Sequence, residues 1–128
     1  MTYDYTIEDL KERTGGCRYR VQLLDADGAA ITPARATALI FSLRDVRSNT
    51  YINLHDHQDV LDGTQGVVLL DTGWMTWTMV PEDNIIVTPG ANQAVEEHEA
   101  TFTIKADSGD VELSWTVGIF VRALVAVP

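Results

Sequence analysis

The sequence predicts an all-β protein, an antiparallel β-sandwich. Two observations carry this reading. The stretch from Glu97 to Ala123 alternates apolar and polar residues for longer than any other part of the chain. The remainder falls into short alternating runs set apart by Gly, Pro, Asn and Asp, with no helical periodicity beyond the N-terminal segment.

The Glu97–Ala123 stretch reads as a long hairpin. Ala100, Phe102 and Ile104 alternate with Glu99, Thr101, Thr103 and Lys105. Asp107-Ser108-Gly109-Asp110 is turn chemistry, and Gly109 is free to take a positive φ. On the return, Val111, Leu113, Trp115, Val117, Ile119 and Val121 share one face. That face needs a second apolar layer, and Trp115 is expected in the core.

Taken in order, Thr6 to Arg13 is either a short helix or an extended arm. Thr6 can cap it, Asp9 follows three residues on, and Gly15-Gly16 would stop it. Residues 1–17 therefore form an N-terminal arm or helix, and residues 18–128 form the domain. Tyr19, Val21 and Leu23 alternate with Arg18, Arg20 and Gln22 as a strand. Asp25-Ala26-Asp27-Gly28 is a turn that lacks the ligand spacing of a calcium loop. Ala36 to Arg44 is the next strand, and Asp45 to Asn49 is a hairpin loop. Thr50 to Leu54, Val67 to Leu70, Trp74 to Val80 and the brief Ile85 to Val87 follow. Pro81 breaks the run after Val80, because proline cannot donate to a ladder. About seven short strands with turn signals between them fit an Ig-like sandwich, with a small barrel as the alternative.

The totals bound the function. A chain of 128 residues suits one domain with a real core. With 19 acidic and 9 basic residues the formal charge is -10. That balance opposes sequence-independent nucleic-acid binding and adsorption to anionic membranes. It suits docking on a basic surface. Cys17 is the only cysteine, so no intrachain disulfide is possible and a reducing compartment is expected. The first residues lack a signal-peptide pattern, and no apolar stretch approaches a membrane span. Synthesis in the cytoplasm is the expectation.

No pattern dictates a reaction. His55-Asp56-His57-Gln58-Asp59 is the most tempting cluster. His55 and His57 would share one face of an extended segment, but a catalytic metal needs a third ligand, and His98 is the only other histidine. A polar, solvated and inert loop is expected there, with no metal and no cofactor. Cys17 has no base beside it in sequence, no serine sits in a Gly-x-Ser-x-Gly elbow, and no glycine run cradles phosphate. An enzyme is not expected. Trp74, Trp77 and Tyr51 offer a sugar-stacking alternative. Trp74 and Trp77 have opposite strand parity, however, so one should be core.

An ordered set of residues carries a resemblance. Val21-Gln22-Leu23-Leu24-Asp25-Ala26-Asp27-Gly28 precedes Thr37-Ala38-Leu39-Ile40-Phe41-Ser42-Leu43-Arg44-Asp45. Thr64-Gln65-Gly66-Val67-Val68 and Trp77-Thr78-Met79 with Asp83 follow. His98 to Ile104, Ser108-Gly109 and Ile119-Phe120-Val121 close the series. From Val21 to Val121 this resembles small Ig-like β-sandwich virion proteins of tailed bacteriophages, including domains of the baseplate-upper-protein type. It departs from them after Asp83, where the glycine and aromatic are absent, and in the last hairpin, which lacks the proline. The resemblance implies a non-catalytic structural role in the virion. A capsid cement or decoration protein is the expectation, with a neck or baseplate component as the alternative and a carbohydrate-binding module for host attachment as another. The major capsid protein is the expected partner, and a homo-oligomer, a trimer around a capsid axis, is expected.

The expected contact residues come from both ends. The chain closes on Ala123-Leu124-Val125-Ala126-Val127-Pro128, an apolar tail without a charged side chain. Leu124, Val125 and Val127, with Phe120 on the strand face opposite Ile119 and Val121, are expected to meet a neighbouring subunit. Tyr3, Tyr5 and Ile7 are expected to form a second arm that orders on assembly.

Overall fold

The computed structural model describes residues 2–88 and 94–124. The protein is an all-β, two-sheet sandwich. The larger sheet contains β1 (Tyr5–Lys11), β3 (Ala36–Asp45), β4 (Thr50–Tyr51), β5 (Gln58–Asp59), β8 (Val95–Ala106) and β9 (Val111–Arg122), in the order β1-β9-β8-β3-β4, with β5 also on β3. The smaller sheet is β2 (Arg18–Gln22), β7 (Trp74–Thr78) and β6 (Val67–Leu69), in the order β2-β7-β6. The Ile85–Val87 segment is not a strand.

The long hairpin is the spine. β8 and β9 pair from Val95↔Arg122 to Ala106↔Val111, so every second residue of both faces the same layer. At their turn Asp107, Ser108 and Gly109 all take positive φ, with Gly109 at 95°. Arg35 clips this turn to the first one, reaching Asp107 at 2.6 Å and Asp25 at 2.9 Å. Asp25 folds its own turn by accepting from the N–H groups of Asp27 and Ala29.

The core forms where the alternating faces meet. Phe41 and Phe102 from the large sheet pack against Trp77 and Tyr19 from the small one. Ring centroids are 4.9 Å apart for Phe41–Phe102, 5.0 Å for Phe41–Trp77 and 6.0 Å for Tyr19–Phe102. Each such pair adds about 0.5–1.5 kcal/mol beyond area burial. Trp77 is fully buried, whereas Trp115 is only half-buried. Trp115 stacks on Phe102 at 5.4 Å from the rim and does not fill the centre.

The N-terminal segment is neither a helix nor a free arm. Tyr5–Lys11 is a strand that pairs in parallel with β9, Tyr5 beside Val117 and Lys11 beside Arg122, making the large sheet mixed. The Thr6 and Asp9 cap signal loses to tertiary pairing. Tyr5, Thr6 and Ile7 favour strand, and β9 presents an open edge of N–H and C=O groups. Tyr3 crosses the outer face of the sheet and lies on Gly118, where a Cβ would collide with the ring. Its hydroxyl donates to Glu97. Burial and the Glu97 carboxylate push the Tyr3 pKa up.

Candidate functional site

The His55–Asp59 segment does not form the expected solvated loop. Asn53, Leu54 and His57 all take positive φ, which breaks the strand and folds His55 inward. His55 is buried and packs on Phe41 at 4.7 Å. Its Nε2 lies 2.7 Å from Asp83 Oδ1, and its Nδ1 lies 2.6 Å from Gln58 Oε1. Both ring nitrogens thus donate to oxygens. Asp83 is equally enclosed: Asn53 Nδ2 donates to it at 2.9 Å and the Val80 N–H at 3.0 Å. Burial alone lowers the His55 pKa, but Asp83 and Gln58 outweigh it and hold it above the ordinary value. Burial alone raises Asp83, but His55, Asn53 and the Val80 amide hold it below the usual carboxylate range. The result is a closed imidazolium–carboxylate clasp between the β4–β5 segment and the 3-10 turn Pro81–Asn84. No nucleophile contacts it among the described residues. The His57 ring, in contrast, is exposed beside Asp56 and the edge of Tyr51, while its backbone N–H donates to Ser42 Oγ at 2.8 Å.

A second buried polar centre went unread in the sequence. Asp45, at the end of β3, is the register partner of His98 on β8, and Glu96 sits two residues before His98 on the same inward face. All three are buried. Glu96 Oε1 lies 2.6 Å from His98 Nε2, and its carboxylate also accepts the N–H groups of Val87 at 2.7 Å and Thr88 at 3.1 Å. Asp45 Oδ2 accepts from the Ser48 N–H and hydroxyl. The alternation that places Ala100, Phe102 and Ile104 inside also places His98 and Glu96 inside when carried two steps further back.

The outer faces of the two sheets differ. The large sheet presents Thr101, Thr103, Ser114 and Thr116, and Arg44 is held on Glu99 at 2.9 Å. A shallow depression of about 220 Å³ on this face is lined by Ile40, Ser42, Arg44, Tyr51, His57, Thr101 and Thr103. The small sheet presents Leu24, Val68 and Leu70, which are 42%, 43% and 46% exposed. Half-buried Trp74 joins them, with the Arg20 guanidinium 5.0 Å above its ring. Trp74 and Tyr51 therefore sit on the outer faces of different sheets and form no common stacking platform.

Of the expected contact residues, Tyr3 and Phe120 meet at Glu97 on the outer face of the large sheet. Tyr3 and Ile7 are engaged within the chain, Ile7 beside Ile119 and packed on the core. Tyr5 leans on Tyr19 at 5.3 Å yet stays largely exposed. Phe120 is half-buried beside Val46, Arg47, Val95 and Glu97, and Leu124 is exposed. Val125 and Val127 lie outside the described residues. Cys17 is half-buried, and burial pushes its thiol pKa up, which disfavours the thiolate.

Comparison with protein-family models and with curated proteins finds no match.

Proposed function

We propose that this chain is a non-enzymatic virion structural protein of a tailed bacteriophage, a capsid cement or decoration protein acting through subunit contacts. The observation that carries the proposal is the outer face of the small sheet. Leu24, Val68, Leu70 and Trp74 are presented to solvent there together with Arg18 and Arg20, in a chain of net charge -10. Tryptophan and arginine are the residue types that dominate contact energetics, and an aromatic centre within a polar rim is the usual anatomy of a protein interface. The ordered resemblance from Val21 to Val121 supplies the phage context. It also supplies the major capsid protein as the expected partner and a trimer as the expected assembly.

The test has two parts. Immunogold labelling of phage particles from the source genome, with antibody against the purified chain, is expected to decorate heads. Label at the neck or tail tip moves the protein to a connector or baseplate, and unlabelled particles overturn the proposal. A Leu70→Glu, Trp74→Glu double variant is expected to remain folded by circular dichroism and to lose particle binding. Full binding by the folded variant excludes the small-sheet face as the contact.

A further inference from the structure

The Asp45–Glu96–His98 centre takes no part in the proposed contact face. Two carboxylates lie against one imidazole. Among the described residues neither carboxylate pairs with a lysine or arginine. A buried uncompensated carboxylate is costly. Among the described residues Asp45 Oδ1, which is buried, has no hydrogen-bond partner and lies 4.0 Å from His98 Nε2. The other Asp45 oxygen is fixed by Ser48.

We infer that Asp45, Glu96 and His98 form a binding site for one divalent transition-metal ion, with zinc as the probe. One potential ligand atom from each residue lies within 4.8 Å of the other two. Ligands on a tetrahedral zinc at about 2.0–2.1 Å stand roughly 3.3 Å apart. The Glu96–His98 and His98–Asp45 separations of 2.6 and 4.0 Å lie on either side of that value, so small side-chain rotations seat the ion. A divalent cation is attracted by the two carboxylate side chains and finds a third ligand atom in the imidazole nitrogen. One nitrogen and two carboxylate oxygens favour a borderline ion over calcium or magnesium. The Ser48 and Val87–Thr88 hydrogen bonds orient the two carboxylates as outer partners do in metal sites. Such an ion would join the end of β3, the start of β8 and the 85–88 segment.

The test uses the full chain, stripped with a chelator and then supplied with zinc. Native mass spectrometry is expected to show one zinc per chain. Thermal unfolding is expected to rise by roughly 10 °C when zinc is about a hundredfold above its dissociation constant. Asp45→Asn and His98→Gln are each expected to abolish the zinc-dependent rise, and His57→Ala to retain it. Asp45→Asn decides if His98→Gln does not fold, because the asparagine oxygen still accepts from Ser48. An unaltered melting temperature with zinc and with manganese overturns the inference. So does a rise that survives Asp45→Asn or disappears in His57→Ala.

Discussion

His55 and His98 are both buried in the inner layer, and each stands within hydrogen-bond distance of a carboxylate. Around His55 every polar atom has a partner: Asp83 and Gln58 on the ring, Asn53 and the Val80 amide on the carboxylate. One positive and one negative charge meet there. Around His98 a second carboxylate enters, and among the described residues Asp45 Oδ1 finds no donor and the Nδ1 atom of the ring is likewise unpartnered. A closed buried ion pair serves stability and register. An open one holds free-energy cost that a ligand can relieve. The third histidine, His57, is exposed and marks what the same side chain is worth without burial.

The largest way to break the closed centre is Asp83→Ala. It strands the His55 ring and also leaves the Val80 amide and Asn53 without their acceptor. A loss of about 3–5 kcal/mol in urea unfolding is expected, as for removal of one member of a buried pair. A loss below about 1 kcal/mol would mean that the clasp is not a stability element.

Titration sharpens the contrast next. The raised His55 pKa contributes stability that is fully present below the unfolded histidine value near 6.5 and is lost as pH climbs through the folded value. The lowered Asp83 pKa contributes stability present above about 3.8, lost as pH falls through its folded value. The pair is therefore strongest between about pH 4 and 6.5. Melting temperature is expected to fall on the alkaline side of that window in the wild type. His55→Gln is expected to lose that slope, and a slope preserved in the variant would assign it elsewhere.

Asp45→Asn in chelator should act in the opposite direction to Asp83→Ala. It replaces the buried carboxyl whose Oδ1 has no partner among the described residues, and the amide oxygen keeps the Ser48 contacts. Stability is expected to be unchanged or to rise by about 1 kcal/mol in denaturant unfolding. A loss of several kcal/mol would mean that His98 and Asp45 already form a closed pair. His57→Ala is expected to stay within about 0.5 kcal/mol by the same measurement.

The two centres also differ in how they could be read. The all-β class, the long hairpin, the opposite faces of Trp74 and Trp77 and the turns at Asp25 and Asp107 followed from alternation and turn chemistry. His98 and Glu96 were within reach, since parity along β8 puts them inside with Phe102, but the alternation was followed only from Glu97 and through its apolar members Ala100, Phe102 and Ile104. His55 was out of reach. Its burial depends on three left-handed residues, none of them glycine, and on Asp83, which is 28 positions away and sits in a 3-10 turn behind a proline. No periodic signal spans that distance. The N-terminal strand was obscured for another reason: a capping signal and a thin apolar stripe imitate a helix until β9 is there to pair with it.

That pairing bears on the order in which the chain folds. β8 and β9 join through a short turn, and β3 meets β8 across a moderate span, but Asp4 and Thr116, which begin the contact of β1 with β9, are 112 positions apart. Loop closure of this length is entropically slow relative to hairpin formation. On loop length alone the first strand in sequence is expected to dock last, and until it does the far side of β9 is an unpaired edge. Gly118 is then an empty groove awaiting the Tyr3 ring. Any identical chain carries the same strand and the same tyrosine, so a late docking of β1 would open β9 to strand exchange between copies.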